Sequence, residues 1–365
     1  MRPSRIGAVG LAVAASIAVA ACGSSSKSST SSGSGSTASG TINGAGSTFA
    51  APIYQQWGST LKSNGLTLNY NPVGSGTGVA DLQTATVDFA GSDPALKSAD
   101  TSAMKGPVLQ FPVAFGAITV SYNLSGIKSG LKLDGPTIAK IFSGTIKTWN
   151  DPAIKSLNPG MSLPSTSITV VHRSDSSGTT DGFTKYLAAA APSDWKYGHG
   201  KIIPWPTGTG GKGNSGVAAV VKATSGAIGY VEQAYALENG FTYAAVKNSS
   251  GSYIEPTIPN TAAAANGITI PPDLGISTIN SASPSAYPIV SQTFINVYKD
   301  PCKNGGASSS TAKALKSFLT YAFSTGQSTL GQGSGQLPYA PLTSELKSKA
   351  NAQLGQLVCN GSPVS

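Results

Sequence analysis

The sequence predicts an α/β protein of two lobes, and three observations carry that prediction. Apolar runs of strand length alternate with apolar residues at helical spacing, the pattern of mainly parallel sheets. The chain beyond residue 40 is longer than the ~250–300 residues at which a single core usually stops growing. Glycine- and hydroxyl-rich stretches recur where helices should begin, at Thr48, at Ser75 and at Ser177-Gly178-Thr179.

Compartment and charge narrow the function classes. Arg2 and Arg5 precede an apolar stretch, Ile6 to Ala20, that is too short to span a bilayer, and Val19-Ala20-Ala21-Cys22 follows. This resembles a bacterial lipoprotein signal (residues 1–21) cleaved before Cys22, whose sulfur would carry lipid; an ordinary secretory signal is the alternative. Residues 22–40 are the Ser/Gly-rich tether an anchored domain needs. Loss of Arg2 and Arg5 takes the formal net charge from +9 to +7, yet charged residues are 11% of the chain and no dense Lys/Arg block stands among aromatics. A nucleic-acid track is therefore not expected, whereas a field that steers small anions is. With Cys22 lipidated, Cys302 and Cys359 remain as an even pair, read as a disulfide in an exported protein. Two histidines, His172 and His199, and no thiolate cluster argue against a metal site.

Ala50, Ile53, Trp57 and Leu61 predict the first helix, opened by Gly44-Ala45-Gly46-Ser47-Thr48-Phe49. Leu66 to Val73 is a strand, followed by Gly74-Ser75-Gly76-Thr77-Gly78 and a short helix through Val79 and Leu82. Val87 to Gly91 is a strand that delivers Ser92-Asp93-Pro94. Phe111 to Asn123 is a long apolar strand able to cross between lobes, and Pro136 to Phe142 is a short helix. Ile168 to Val171 is a strand leading into His172-Arg173-Ser174-Asp175-Ser176-Ser177-Gly178-Thr179-Thr180-Asp181, after which Phe183, Tyr186 and Leu187 mark a helix.

That last loop has the chemistry of an anion cradle. The first N–H groups of a helix lack internal partners and sit at its positive end. Gly178 removes a side chain from the backbone there, Ser177 and Thr179 add hydroxyls, Arg173 offers a guanidinium fork and Asp175 can hold it. The competing reading is a capped helix beside a surface arginine.

Gly208-Thr209-Gly210-Gly211-Lys212-Gly213 matches a dinucleotide fingerprint, with Glu232 downstream. Pro204-Trp205-Pro206 makes a poor preceding strand, so these glycines are read as a loop opening a helix at Ser215 to Thr224. Gly226 to Val231 is the next strand and Glu232 to Glu238 a helix. Asn239 to Ala286, rich in Gly, Pro, Ser and Asn, is expected to wrap the surface as loops. Phe294 to Tyr298 is a return strand, and two helices follow, one around Leu315, Phe318, Leu319 and Phe323 and one around Leu346, Leu354 and Leu357.

The blocks Gly44 to Pro52, Val87 to Asp93, Arg173 to Thr179, Gly210 to Asn214 and Gly226 to Glu232, in that order, resemble those of the phosphate-specific periplasmic binding proteins of ABC transporters. The resemblance implies a type II, Venus-flytrap fold with two crossover strands, residues 41–118 plus 294–365 forming one lobe and 119–293 the other. It implies that phosphate oxygens are held by Thr48, the Phe49 N–H, Ser75, Arg173, Ser177, the Gly178 N–H and Thr179, with Asp93 facing the ligand. It further implies a non-enzymatic, monomeric, extracytoplasmic receptor without a cofactor, anchored to the membrane by lipid and delivering inorganic phosphate to permease subunits.

Asp93 has a logic of its own. An ionised carboxylate only accepts hydrogen bonds, so it repels a bare oxyanion but accepts the proton that hydrogen phosphate or dihydrogen phosphate keeps near neutral pH. Sulfate has no such proton, and opposing two acceptors costs on the order of 1–3 kcal/mol or more. A turn residue before Pro94 is the plainer alternative. The function classes left open are an exported phosphoesterase using Ser47, Thr48 or Ser177, a receptor for sulfate or another oxyanion, and a cell-wall interaction protein. The phosphoesterase lacks a nucleophile elbow, a histidine in a triad context and metal ligands.

Overall fold

The structure is a computed structural model and describes residues 39–365. The expectations for the signal, for Cys22 and for the tether up to residue 38 lie outside the described residues.

The described chain begins with β1 (Gly40–Gly46), α1 (Ala51–Lys62), β2 (Leu66–Asn71), α2 (Ser75–Thr84), β3 (Phe89–Ser92) and the short α3 (Ser98–Ser102). Pro52 in the first turn of α1 presets the helical φ, and Ile53, Tyr54, Trp57 and Leu61 bury one face. Truncating Trp57, which is fully buried, to alanine would cost about 3–5 kcal/mol. The strand β1 is not predicted by apolar alternation, because three of its seven residues are glycine. Tertiary pairing makes it a strand: β2 and β3 flank it in parallel. Gly44 has a packing reason, since a Cβ there would overlap the Phe89 ring.

Next come β4 (Val108–Tyr122), β5 (Lys132–Leu133), α4 (Gly135–Phe142), α5 (Pro152–Leu157), β6 (Thr169–Arg173), α6 (Gly178–Ala190), β7 (Thr209–Gly211), α7 (Gly213–Ala223), β8 (Ala227–Glu232) and α8 (Gln233–Glu238). Side chains cap four of these helices: Asp134 accepts the Thr137 N–H, Asp151 that of Ala153, Ser177 that of Thr180 and Glu232 that of Ala234. The chain then forms β9 (Thr242–Tyr243), β10 (Ala245–Lys247), β11 (Tyr253–Ile254), α9 (Ile258–Ala263), β12 (Val290–Tyr298), α10 (Pro301–Gly305), α11 (Ser309–Phe323), α12 (Ser344–Leu354), β13 (Val358–Cys359) and β14 (Ser362–Pro363). The expected disulfide is present, joining Cys302 in α10 to Cys359 in β13.

Among the described residues the main sheet runs β2-β1-β3-β12-β4-β8-β6-β7, with β9 added to β4. The outer pairs are parallel, as expected, but every pair made by β4 or β12 is antiparallel. Those two strands run against their neighbours. The β4 strand lies on β12 from Val108 to Ala117 and on β8 from Ile118 to Tyr122, so a single strand serves both ends of the sheet. Pro112 cannot donate to the ladder, and the β4–β12 register shifts between Thr293 and Phe294, opposite it.

The stretch from Asn239 to Ala286 departs from expectation. It contains β9 to β11 and α9, and β10 joins β5 and β11 in a three-stranded sheet. Ala244, Val246, Thr261, Ile276 and Thr278 are buried in it. Strands of two or three residues are too short for periodicity to reveal. Side chains replace longer ladders: Asn248 Oδ1 accepts the Ser250 and Ser252 N–H groups, and Asn248 Nδ2 donates to the Pro284 and Ala286 carbonyls.

Candidate functional site

The site forms where the loops after β1 and β3, the start of α2, the β6–α6 loop and the start of α7 meet. Thr48, Phe49, Ser75, Asp93, Arg173, Ser177 and Thr179 are all nearly or fully buried, though their sequence positions span more than a hundred residues. Gly178 marks the closest approach: a Cβ there would overlap Asp93 Oδ2 and Ser75 Oγ. The glycine thus lets the start of α6 touch the carboxylate as well as bare its own N–H. The N–H groups of Ser75, Gly178 and Thr179 lie in the first turns of α2 and α6, where the helix offers no partner.

Asp93 is enclosed by hydroxyls. Ser47 donates to its Oδ1 at 2.5 Å, Thr293 to the same oxygen at 2.9 Å, and Ser75 to Oδ2 at 3.3 Å. Oδ2, the less fully engaged oxygen, is the one beside Gly178. Burial pushes the Asp93 pKa up to about 6, and the hydroxyls with the Arg173 charge keep it from rising further.

Arg173 is the cation of the site. Its Nε donates to Asp175 Oδ1 at 2.7 Å, an Nη2 proton goes to Asp175 Oδ2, and Nη1 donates to Thr179 Oγ1 at 3.2 Å. Of five N–H donors, one on each terminal nitrogen is left for another acceptor. The Asp175 carboxyl would be raised by burial, but Arg173 and the Gly213 N–H hold it below the ordinary carboxylate value. Asp175 therefore holds the guanidinium fork in one orientation. The Arg173 N–H is fixed by the Tyr230 hydroxyl, which meets Thr180 Oγ1 at 2.7 Å.

Two hydroxyls are committed in ways the sequence does not disclose. Ser177 Oγ accepts the Thr180 N–H as the α6 cap, which leaves its proton free to donate elsewhere. The Ser75 proton goes to Asp93, so it would have to turn to serve a ligand. The Phe49 carbonyl accepts the Tyr339 hydroxyl at 2.6 Å, and that hydroxyl also lies 2.8 Å from Glu232 Oε2. Burial holds the Glu232 pKa well above the ordinary carboxylate value.

Ser47, Asn214 and Thr293 belong to this constellation; sequence reasoning names Ser47 only as a nucleophile of the alternative phosphoesterase and does not single out the other two. Ser47 and Asn214 stand inside blocks already quoted and could have been found there. Thr293 lies just before the expected Phe294 strand and has no local signal; the antiparallel pairing of β12 with β3, Phe294 opposite Ser92, places it on Asp93. His172 stacks on Trp205 with ring centroids 4.9 Å apart, and His199 is exposed. The stretch Gly208 to Gly213, four of whose six residues are glycine, is no dinucleotide loop, since its strand, β7, lies within it and pairs with β6. Among the described residues there is no cluster of His, Cys, Asp or Glu able to hold a metal, and no helix long and apolar enough to cross a membrane.

Comparison with known proteins shows the family. The chain is 39% identical to the phosphate-binding protein PstS of Xylella fastidiosa, over 87% of this chain and 85% of that one. It is 36% identical to the phosphate-binding protein PstS 3 of Mycobacterium tuberculosis, over 98% of this chain and all of that one. A solved high-affinity periplasmic phosphate-binding protein bound with phosphate shares the fold, with a TM-score of 0.70 and 24% identity over 86% of this chain and 93% of that one. Residues 31–325 match the PBP superfamily domain. The chain belongs to the PBP superfamily and, within it, to the family of PstS phosphate-binding proteins.

Proposed function

We propose that this protein binds inorganic phosphate in the enclosed site and delivers it to the permease of an ABC transporter, acting as a monomeric receptor rather than as an enzyme. The observation that carries the reading is the placement of one buried carboxylate, Asp93, among donors: Arg173, the first turns of α2 and α6, and the hydroxyls of Thr48, Ser177 and Thr179. Such a set favours an anion that also presents a proton, which hydrogen phosphate and dihydrogen phosphate do and sulfate does not. The ligand contacts assigned are Thr48, the Phe49 N–H, Ser75, Asp93, Arg173, Ser177, the Gly178 N–H and Thr179.

Residues 41–118 with 294–365 are taken as one lobe and 119–293 as the other, closing over the anion about β4 and β12. The reading is supported by the passage of β4 from β12 to β8. Extracytoplasmic placement, with Cys22 lipidated, rests on the lipoprotein-like start of the sequence. Cys22→Ala should release the protein from the membrane fraction; retention there would remove the lipid anchor from the account.

The binding reading is tested by calorimetric titration of phosphate, then sulfate, into protein freed of bound anion by unfolding and refolding. Stoichiometric phosphate binding with negligible sulfate heat is expected near pH 7.5. Equal heats would make it a general oxyanion receptor, and silence with both would return these loops to ordinary helix caps.

A further inference from the structure

Asn214, at the second position of α7, is fully buried and uses every hydrogen-bonding atom it has. Its Oδ1 accepts the Glu232 N–H at 3.0 Å, and since a backbone N–H can only donate, this contact settles which side-chain atom is oxygen. The amide nitrogen must then face the other way. Nδ2 donates to Thr48 Oγ1 at 3.0 Å and to Thr179 Oγ1 at 3.2 Å, one proton to each.

The consequence lies in the threonines. Thr48 Oγ1 also accepts the Asn214 backbone N–H at 3.2 Å, and Thr179 Oγ1 also accepts Arg173 Nη1 at 3.2 Å. A hydroxyl oxygen has two lone pairs, and in both threonines both are occupied. Each O–H proton therefore has to point away from Asn214 and Arg173. Without that amide, either hydroxyl could turn a lone pair toward a bound oxyanion.

We infer that Asn214 is a positioning residue of the anion site: by donating to Thr48 and Thr179 together, it fixes both hydroxyls as donors toward the ligand. The inference rests on the anion-binding reading above and goes beyond it, because Asn214 itself need not touch the ligand. Asn214 also joins the loop after β1 to the start of α6, so one side chain orients donors from two separate parts of the chain.

Asn214→Asp is the sharpest probe. It keeps the shape and the oxygen that accepts the Glu232 N–H, and replaces only the donating end with an acceptor. The threonine protons would be drawn onto the new carboxylate and away from the anion. The titratable groups around the position are Arg173 and Asp175 before α6, Asp93 after β3, Glu232 at the end of β8 and Tyr235 in α8, whose hydroxyl donates to the Thr48 carbonyl. Phosphate titration at a series of pH values from 5 to 8, each compared with wild type at the same pH, cancels the titration those groups and the ligand share. The affinity ratio should favour wild type by roughly 100-fold at pH 7.5 and shrink toward low pH, as the introduced carboxyl gains a proton it can donate. A ratio within threefold at pH 7.5, or one that does not change with pH, would overturn the inference.

Should that variant not fold, Asn214→Ala combined with Thr48→Val and Thr179→Val decides the matter. Asn214→Ala should cost roughly 10-fold or more in the wild-type background and much less once both hydroxyls are gone. An equal cost in both backgrounds would make Asn214 a merely structural residue. Failure of wild type to bind phosphate would instead remove the reading on which the inference stands, so the two failures are distinguishable.

Discussion

Two aspartates stand in one site and are pushed in opposite directions. Asp93, at the end of β3, is ringed by hydroxyls and held high, near pKa 6, chiefly by burial. Asp175, in the β6–α6 loop, is half-buried but clasped by Arg173, and is held low. Burial works the same way on both; the partner decides the sign. One carboxylate is thereby kept as an adjustable acceptor beside the start of α6, the other as a fixed anion that aims a guanidinium.

The comparison breaks most severely where the cation is removed. Arg173→Ala should weaken phosphate binding by roughly 100-fold or more, since the remaining donors carry no full charge and Asp175 is left a half-buried anion without its cation. Near-normal binding in calorimetry would take Arg173 out of the site. Asp175→Asn should cost less, about tenfold, because the guanidinium keeps its charge and loses its aim. A loss as large as that of Arg173→Ala would mean that Asp175 touches the ligand itself.

A milder test uses pH. The Asp93 pKa is raised, so its proton is bound more tightly in the folded than in the unfolded chain, and the stability this proton confers is fully present below about pH 4 and lost as pH rises through about 6. Over the same interval a protonated Asp93 can donate. Sulfate affinity should therefore improve relative to phosphate as pH falls from 7.5 to 5, and a ratio that stays constant would show that Asp93 is not the acceptor. The smallest effect on binding is expected far from both aspartates. Cys302→Ser opens a loop of 57 residues and should lower stability by about 2–4 kcal/mol in thermal melts while leaving phosphate affinity unchanged.

The same contrast explains what was legible in the sequence. Arg173, Asp175, Ser177, Gly178 and Thr179 are consecutive enough that strand, loop and helix start could be read locally, and the cradle followed. Asp93 could be placed at a strand end for the same reason. Thr293 could not, because only the register of β12 on β3 brings it to Asp93. Likewise β1 is a strand by virtue of the neighbours on both its edges, which no local pattern in Gly40 to Gly46 reports. The antiparallel pairs of β4 and β12 escaped for that reason too: long apolar runs announce buried strands but not their direction. Asn214 lay in a recognisable block, yet its part in orienting two threonines is a matter of hydrogen-bond direction that only three-dimensional contacts define.

The central claim is that Asp93 separates phosphate from sulfate by accepting a proton. The most direct measurement is the ratio of phosphate to sulfate affinity at pH 7.5 in wild type and in Asp93→Asn, with thermal melts to establish that both are folded. The account predicts a large ratio in wild type and a much smaller one in the variant, through gained sulfate binding as well as weakened phosphate binding. An unchanged ratio in a folded variant would contradict it.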